Sequence, residues 1–357
     1  MINPNAILEI NSKNLIKNYK TISKYTKKSL TGAVIKANAY GLGDIEIYKN
    51  LYKAGCRNFF LATLNEAINI RKKYLRSNIY VLNGLENNKI SKFYDYNVIP
   101  IINSIEELEL YLNNKHFDKN KKIGLQIDTG LNRLGIQIKE LINKDLKNIN
   151  LFILVSHFSS SEEISNIYNF LQNKKFKTVF NLFKSIKYIS LSNSAGILNN
   201  KEFHYNLTRP GIFLYGGYQN KRLKKILKIK SVIKLKAKIL QIKEIGANEY
   251  IGYNQTYKTK KTIKVAILGI GYGDGIFRIL SNKGKVYFKK KSFRIIGRIS
   301  MDSMTINITN CKHKICVGEY MEIINEDNDI EKIAKECGTI SREILTSISR
   351  RVIRQYL

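Results

Sequence analysis

The first 220 residues alternate between short apolar segments and amphipathic helical patterns, and this alternation limits the possible folds more than any other feature of the chain. Buried strands of a parallel sheet are continuous apolar runs, whereas a helix that packs on a sheet repeats apolar residues every three or four positions. The segments with the character of buried strands are Ala33–Ile35, Asn58–Ala62, Ile79–Leu82, Val98–Ile102, Ile123–Ile127, Leu151–Val155, Tyr188–Leu191 and Ile212–Leu214.

Helical patterns precede and separate these eight segments. Ser104 and Glu107 form a capping box at the start of one of them. Eight strands alternating with helices predict an α/β fold, a (β/α)8 or TIM barrel, and a doubly wound open sheet is the alternative. The helical patterns are Leu15–Tyr25, Ile45 to Gly55, Asn65–Tyr74, Ile90–Tyr96, Ser104–Leu112, Lys139–Leu146 and Ser161–Lys187.

The chain changes character near Ser231, where helical patterns give way to strand-like alternation. Lysines alternate with apolar residues up to Ile239, which is typical of a half-buried antiparallel strand. We therefore predict a barrel domain over residues 1–228 and a mainly-β domain over 229–357, with the option that residues 1–10 pair with the β domain. The further predicted elements are strands at Thr262–Leu268, Lys285–Phe288, Phe293–Ile299, Met304–Ile308 and Tyr320–Ile324, and helices at Ile330–Cys337 and Ser341–Ser349.

The formal net charge of +33 is typical of nucleic-acid binding proteins. However, the lysines are spread through nearly every segment, with only short runs such as Lys289-Lys290-Lys291. The chain is also rich in Ile, Asn and Tyr, with three Pro and no Trp, which is the pattern of a codon bias towards A and T. We therefore predict no nucleic-acid partner.

Three further features concern the cellular location and metal binding. No apolar stretch has the length of a membrane span, and Met1 to Glu9 lack the basic start and apolar core of a signal peptide. The four cysteines form no C-x-x-C pair and have no neighbouring histidine cluster. We predict a cytoplasmic protein with free thiols, no membrane association and no metal site.

Reactive side chains follow several of the predicted barrel strands. In (β/α)8 barrels the carboxyl ends of the strands carry the chemistry, and phosphate groups bind after strands seven and eight. A lysine, a histidine, two arginines and a phosphate-binding loop on one rim suggest pyridoxal phosphate (PLP) as cofactor. The residues at these strand ends are Lys36, Asp128, Arg133, His157, Ser194, Arg209 and Gly211.

Lys36 is the centre of this prediction. A lysine between Ile35 and Ala37 at a strand end would lose water, and burial lowers the pKa of an amine, as a Schiff-base former requires. Each residue on the rim also has a purely structural alternative: a surface lysine, a core histidine at His157, a turn-stabilising Asp128 or a helix cap near Ser194. The coincidence of five strand ends favours the functional interpretation.

The chain resembles bacterial alanine racemases from end to end, in the order and spacing of its motifs. The combination of a lysine motif with a later Met-Asp motif is highly specific. The matching segments are Ala33–Gly41, Asn132–Gly135, Ser156–Phe158, Asn193–Gly196, Arg209–Ile212, Leu214–Gly216, Gly252–Tyr257, Gly271–Gly275, Gly297–Asp302 and Ile348–Val352.

This resemblance implies a PLP-dependent isomerase that interconverts L-alanine and D-alanine and supplies D-alanine for peptidoglycan and cell-wall synthesis. It implies a two-base mechanism through an external aldimine, with Lys36 as the base on the D-side and Tyr253 as the base on the L-side. It also implies a head-to-tail homodimer with shared active sites. A racemase of another amino acid such as serine, and a non-enzymatic PLP carrier, are the alternatives.

The resemblance further implies roles for individual residues. Lys36 binds PLP covalently, Arg209 faces the pyridine nitrogen and His157 supports the ring. The residues implied to hold the phosphate are Tyr40, Ser194, Gly211 and Ile212. The residues implied at the substrate are Arg133, Met301, Tyr272 and Asp302; Tyr253, Tyr272, Met301 and Asp302 are implied to come from the partner subunit.

The chain departs from the family pattern at four positions. Gln126 stands where many members carry a modified lysine, so that a neutral amide has to orient Arg133. Leu42 replaces a usual histidine, and Ser300 replaces a frequent cysteine. Arg350 is predicted to occupy the position of a phosphate-binding tyrosine. None of these changes affects the two predicted bases.

Overall fold

The computed structural model describes residues 4–86, 89–113, 122–142, 144, 146–147, 149–218 and 226–357. Part of the segment Met1 to Glu9 and part of the predicted helix Lys139–Leu146 therefore lie outside the described residues. The helices are α1 (Ser12–Tyr25), α2 (Lys36–Tyr40), α3 (Asp44–Lys53), α4 (Leu64–Arg71), α5 (Ile90–Asp95), α6 (Ile105–Leu112), α7 (Ile138–Ile142), α8 (Ile167–Lys177), α9 (Gly196–Asn199), α10 (Ile330–Cys337) and α11 (Ser341–Ser347).

The strands belong to two groups. The strands of the first group, with the N-terminal strand ahead of them, are β1 (Ala6–Ile10), β2 (Leu30–Thr31), β3 (Ala33–Val34), β4 (Asn58–Leu61), β5 (Asn78–Val81), β6 (Ile99–Ile102), β7 (Gly124–Asp128), β8 (Ile136–Gln137), β9 (Asn150–Val155), β10 (Ser185–Ser190) and β11 (Leu207–Thr208). Those of the second are β12 (Ile233–Ile245), β13 (Tyr250–Ile251), β14 (Tyr257–Lys258), β15 (Ile263–Leu268), β16 (Lys285–Phe288), β17 (Lys291–Ile296), β18 (Met304–Asn307), β19 (Tyr320–Ile324) and β20 (Ile353–Tyr356).

The first group closes into a parallel barrel. Strands β3, β4, β5, β6, β7, β9 and β10 pair side by side in this order, and β11 pairs with β2. The backbone N–H of Gly32 donates to the Thr208 carbonyl at 2.9 Å, and that of Arg209 donates to the Ser192 carbonyl at 2.9 Å. These two bonds join the last strand to the first and to β10. The (β/α)8 barrel predicted from the sequence is confirmed, and an open sheet is excluded.

Burial explains why the barrel strands are continuous apolar runs. All four residues of β4 and all four of β6 are buried, because helices cover the outside of the barrel and side chains fill its inside. Two of the barrel helices, α4 and α6, begin at clear side-chain caps. Thr63 and Glu66 form a capping box on α4, and the Ser104 hydroxyl accepts a hydrogen bond from the Glu107 backbone on α6.

Two predicted elements were wrong. Ile212–Leu214 is a buried turn, in which the Leu214 N–H donates to the Gly211 carbonyl, and the eighth strand is β11. An apolar run only indicates burial, and a turn satisfies its backbone as well as a strand does. The helix predicted over Ser161–Lys187 is the shorter α8, since residues 185–187 already belong to β10, where they pair with β9.

The second group forms an antiparallel barrel. Strand β12 pairs with both β15 and β19, and the path β15, β18, β17, β16 and β19 closes the ring. The alternating burial of β12 agrees with its alternating sequence. Strand β1 pairs antiparallel with β12, and the C-terminal strand β20 pairs parallel with β1. Both ends of the described chain therefore lie in this sheet.

The two barrels share one hydrophobic cluster, which includes Tyr215 before the C-terminal sheet, Leu235 in β12 and Leu345 in α11. This packing brings α10 and α11 against the mouth of the N-terminal barrel. Among the described helices, none combines the length and the apolar character that crossing a membrane requires.

Candidate active site

A cavity of about 1140 Å³ lies at the carboxyl ends of the barrel strands, between the barrel and α11. The residues predicted to surround the cofactor all line it, together with predicted substrate ligand Arg133. Tyr253, Tyr272, Met301 and Asp302 are not among the lining residues. The predicted site residues that the cavity brings together are Lys36, Tyr40, Arg133, His157, Ser194, Arg209, Gly211 and Ile212.

Lys36 lies two residues after the end of β3 and lines the cavity. Burial is the main cause that lowers the pKa of its amine, and the neighbouring Arg133 cation lowers it further. The Glu66 carboxylate acts in the opposite direction, and the Arg342 cation adds a smaller decrease. The amine therefore loses its proton more readily than that of an exposed lysine, which makes it a better nucleophile.

The segment α2 is not a right-handed helix, because the backbone after Lys36 is left-handed over four consecutive residues. The φ angles of Ala37, Asn38, Ala39 and Tyr40 are 54°, 54°, 52° and 56°. This conformation costs an L-residue about 1–2 kcal/mol, so four together need support from their surroundings. The Asn and Gly of the motif indicate a turn, but nothing in the sequence indicates its hand.

Contacts from distant parts of the chain support this left-handed turn. The Ala37 N–H donates to Glu66 Oε1 at 2.7 Å. At the other end, Arg354 in β20 donates from Nε and Nη2 to the Gly41 carbonyl at 3.1 and 2.9 Å. The Tyr356 hydroxyl donates to the Leu42 carbonyl at 2.7 Å. Glu66 and the last strand thus hold the segment that carries the lysine.

The loop after β11 and the start of α9 form a small polar pocket. The Ser194 hydroxyl oxygen accepts hydrogen bonds from the backbone N–H groups of Gly211 at 2.9 Å and Phe213 at 3.4 Å. A Cβ on Gly211 would lie 2.5 Å from the Tyr40 hydroxyl, so any larger residue there would displace Tyr40. The Ser194 proton and the Tyr40 hydroxyl remain as donors for an anionic group.

Arg209 is buried at the centre of the barrel mouth, with 6% of its surface exposed. Its two Nη atoms donate to the carbonyls of Ser190 and Ser156, both at 2.6 Å. Burial lowers the pKa of its guanidinium to about 10, which leaves it charged at neutral pH. Among the described residues, no ion pair includes Arg209.

His157 lies beside Arg209 and is held by Asn193, whose amide nitrogen is 3.4 Å from Nε2. Burial lowers the pKa of the imidazole to about 3, and the cations Arg209, Arg133, Lys36 and Arg342 contribute to this decrease. The histidine is therefore neutral at physiological pH and can act as a packing and hydrogen-bonding group, not as a cation.

Gln126 supports the Arg133 loop in a way that the sequence did not indicate. Its side-chain amide donates to the Leu134 carbonyl at 2.6 Å and so fixes the backbone next to Arg133. Asp128 stabilises a turn, which was the structural alternative for this residue. Its Oδ1 accepts hydrogen bonds from the backbone N–H groups of Gly130 and Asn132.

Arg350, predicted to stand at the position of a phosphate-binding tyrosine, is not among the residues that line the main cavity. Arg350 lines a separate surface depression of about 580 Å³, whereas Arg342 in α11 lines the main cavity. Arg342 lies 3.4 Å from the Glu162 carboxylate and influences the pKa values of Lys36 and Tyr40. Nothing in the sequence marks Arg342 as a site residue, because only the packing of α11 on the barrel shows which arginine reaches the cavity.

The remaining predicted residues form a second group on the C-terminal domain. Tyr253 is 65% exposed, Tyr272 43% and Met301 52%. The Tyr272 N–H donates to the Ser300 carbonyl at 3.0 Å, which joins the two loops. Asp302 is held by Arg351 at 2.7 Å. The backbone of this group is fixed, while its large side chains extend into solvent.

The cavity residues fit a phosphorylated organic cofactor such as PLP. Four cations, Lys36, Arg133, Arg209 and Arg342, line the cavity, against the two carboxylates of Glu162 and Glu343. This excess of positive charge favours an anionic ligand. The Ser194 pocket is shaped for a small anion, and the Lys36 amine lies in the same cavity for a carbonyl group.

The chain is similar to known proteins along almost its whole length. The family described as "Alanine racemase, N-terminal domain" matches residues 10–219, and "Alanine racemase, C-terminal domain" matches residues 232–356. The chain belongs to the alanine racemase family. The alanine racemase of Rickettsia canadensis is 39% identical over 360 residues, with 98% of each chain covered.

Solved structures of this family have the same fold. The alanine racemase of Bartonella henselae, a crystal structure with covalently bound pyridoxal phosphate, has a TM-score of 0.92 at 35% identity, and 99% of each chain is covered. The alanine racemase of Clostridium difficile 630 has a TM-score of 0.92 at 30% identity, with 100% of this chain and 97% of that chain covered. Both barrels of the present chain therefore have counterparts in one family of solved structures.

Proposed function

We propose that this protein is a PLP-dependent alanine racemase that interconverts L-alanine and D-alanine and supplies D-alanine for peptidoglycan. The observation that carries the proposal is the Lys36 amine, with its lowered pKa, in the same cavity as the polar pocket at Ser194 and Gly211. Membership of the alanine racemase family supports it independently.

The cofactor would be held by the residues of the cavity. Lys36 would bind it covalently, and Ser194, Gly211, Ile212 and Tyr40 would hold its phosphate. When bound, PLP withdraws electrons from the substrate and makes the Cα proton acidic. Arg209 would face the pyridine nitrogen, and the neutral His157 would pack beside it.

The charge of Arg209 bears on which reaction follows. A guanidinium does not readily give up a proton, so Arg209 would not protonate the ring nitrogen as a carboxylic acid would. Negative charge that develops at Cα would then remain near Cα. This favours the return of a proton to that carbon, which is the requirement for racemisation, over side reactions.

Inversion of the stereocentre needs a base on each face of the substrate. We assign Lys36 to the D-side and Tyr253 to the L-side. An unperturbed tyrosine has a pKa near ~10, so Tyr253 would need nearby positive charge to accept a proton at neutral pH. Arg133, held by the Gln126 contact to its loop, and Met301 would contact the substrate carboxylate region, with Tyr272 and Asp302 beside them.

A homodimer with shared sites accounts for the separation of the two groups of residues. Tyr253, Tyr272 and Met301 are exposed and absent from the lining of the cavity of their own chain. We propose that a second copy places them over the cavity in a head-to-tail arrangement, and that the dimer works in the cytoplasm.

We also propose a boundary between a barrel domain, residues 1–228, and a β domain, residues 229–357. The match to the N-terminal family domain ends at residue 219, and the match to the C-terminal family domain begins at residue 232. Strand β12 begins at Ile233. Strand β1 is an exception, because it pairs with β12. Limited proteolysis tests the boundary: initial cleavage is expected near residue 228, and initial cleavage only elsewhere would contradict it.

One assay tests the proposed activity. Purified protein is mixed with L-alanine, with and without added PLP, and D-alanine is measured by chiral chromatography. We expect D-alanine to form in a PLP-dependent manner, and Lys36→Ala to reduce turnover by about 10³-fold or more. No racemisation by the native chain, or full activity of Lys36→Ala, would refute the proposal. L-serine as a parallel substrate separates an alanine racemase from a serine racemase.

A further inference from the structure

Glu66 uses its two carboxylate oxygens for two different loops. Oε2 accepts the backbone N–H groups of Ala62 at 2.8 Å and Thr63 at 3.3 Å, which completes the capping box of α4. The other oxygen, Oε1, accepts the Ala37 N–H at 2.7 Å, in the turn that follows β3. A residue that caps one helix therefore also binds the residue next to Lys36.

The Ala37 contact lies at the point where the backbone changes hand. Val34 is still in β3, and Ala37 is the first of four residues with φ above +50°. The peptide between Lys36 and Ala37 carries this N–H, so its orientation sets the direction of the lysine side chain. Within the turn itself, the Ala39 N–H donates to Ile35 and the Gly41 N–H to Ala37. The first N–H of the left-handed turn, that of Ala37, is bound by Glu66.

We propose that Glu66 is a positioning residue for Lys36, which fixes the left-handed turn through Ala37 and so directs the amine into the cavity. This inference rests on the proposed function, in which Lys36 binds the cofactor and moves a proton. It adds a residue outside the cavity to the machinery of the site. The side-chain hydrogen bonds of Glu66 in the described part of the chain are to backbone N–H groups, and Glu66 lines the separate depression that contains Arg350, not the main cavity.

The charge of Glu66 adds an electrostatic effect to the geometric one. The groups that act on Lys36 come from three directions: Arg133 from the loop after β7, Arg342 from α11 and Glu66 from α4. The two arginines lower the pKa of the lysine, and Glu66 raises it. The other titratable groups that line the cavity are Tyr40, His157, Arg209, Glu162 and Glu343. Glu66 therefore limits the decrease that burial and the arginines produce.

The chain contains a matched control for this role. Glu107 occupies the same position in α6, where Oε2 accepts the Asn103 N–H at 2.8 Å and the carboxylate also bonds to the Leu85 backbone. Both glutamates thus stand third in their helix and accept hydrogen bonds from backbone N–H groups of the loops that precede it. Only Glu66 reaches the turn of Lys36.

Competitive labelling of the apo-protein tests the inference without the cofactor. Acetic anhydride is applied at pH 6 to 11, and acetylation of Lys36 relative to the other lysines is followed by mass spectrometry. We expect the Lys36 midpoint to move to lower pH in Glu66→Gln and to stay unchanged in Glu107→Gln. An unchanged midpoint in Glu66→Gln, or equal shifts in both variants, would overturn the proposal.

Two further variants separate positioning from a loss of stability. Thr63→Ala removes the hydroxyl that caps α4 but keeps the carboxylate, so it should lower Tm without moving the Lys36 midpoint. Glu66→Asp keeps the charge but shortens the reach, so its midpoint should stay nearer to that of the native protein. A shift in Thr63→Ala as large as that in Glu66→Gln would mean that Glu66 has only a structural role.

Steady-state kinetics of the holoenzyme give the second readout. We expect Glu66→Gln to lower kcat for L-alanine about 10- to 100-fold, because a misdirected catalytic group slows the chemical step more than substrate binding. KM should change less than kcat, and Glu107→Gln should match the native enzyme. A native protein without racemase activity would refute the proposed function alone, since the labelling experiment still decides the role of Glu66.

Discussion

The two halves of the proposed active site differ in how the chain holds them. Around Lys36 the side chains are buried and anchored: Arg209 to two strand carbonyls, Ser194 to the Gly211 loop. On the C-terminal domain the backbone is fixed by Asp274 and Arg351, but Tyr253 and Met301 are more than half exposed. The first half forms a cavity within one chain, whereas the side chains of the second half project into solvent and do not line that cavity.

This difference has a physical explanation. Large apolar and aromatic side chains that are exposed on a well-ordered backbone are typical of an interface that a partner covers. A cofactor site, by contrast, must be formed before the substrate arrives, because its groups act at fixed distances. The comparison therefore predicts that damage to the first half affects cofactor binding, and damage to the second half affects turnover alone.

The largest effect is expected for Tyr253→Phe, which removes the proposed L-side base from the exposed half. Turnover from L-alanine should fall about 10²- to 10⁴-fold, while PLP content, read from the absorbance of bound cofactor, stays as in the native protein. Loss of bound PLP would contradict the assignment of Tyr253 as a base.

Mixing Tyr253→Phe with Lys36→Ala sharpens this test. If the sites are shared, each mixed dimer has one site with both native bases, and random mixing restores about a quarter of the native activity. If both bases belonged to the same chain, the mixture would remain as inactive as its components. Subunit exchange is confirmed by native mass spectrometry.

Gly211→Ala changes the buried half of the site and is expected to have the next largest effect, a loss of PLP affinity. Its Cβ would lie 2.5 Å from the Tyr40 hydroxyl, a clash that costs about 1–3 kcal/mol and weakens PLP binding by about 10-fold or more. Titration of the apo-protein with PLP measures the effect. In a Tyr40→Phe background the same substitution should cost less, because the hydroxyl is gone; equal costs would place the clash elsewhere.

Arg342→Met is expected to have a smaller effect, since this side chain is partly exposed. Loss of its charge should raise the pKa values of Lys36 and His157, both of which the guanidinium lowers. Competitive labelling should place the Lys36 midpoint at higher pH. Arg350→Met is the control, because Arg350 lines the separate depression. A shift of the Lys36 midpoint in Arg350→Met and not in Arg342→Met would show that Arg350 is the arginine that acts on the cavity.

The smallest effect concerns stability at low pH. The folded protein keeps His157 neutral down to about pH 3, whereas the unfolded chain binds a proton below its usual pKa of about 6.5. The free energy of unfolding should therefore fall as pH decreases from 7 to 5.5, and less steeply in His157→Asn. Urea denaturation at both pH values measures the slopes, and identical slopes would show that His157 is not buried in the neutral form.

Much of the site could be predicted because its residues follow apolar strands directly. Lys36 comes after β3 and His157 after β9, so the order of strands along the chain placed them on one rim. The eighth strand was misplaced, since β11 has only two residues and exists through its pairing with β2, far away in the sequence. Such a pairing leaves no local pattern.

The sequence by itself determined the two barrels, the lysine at a strand end and the residue types of the site, because burial and helix periodicity are written locally in apolar and polar residues. Only the tertiary structure decided that Arg342 and not Arg350 reaches the cavity, that the turn after Lys36 is left-handed, and that Glu66 holds it. These features depend on contacts between segments distant in the chain, whose geometry is fixed when the domains pack against each other.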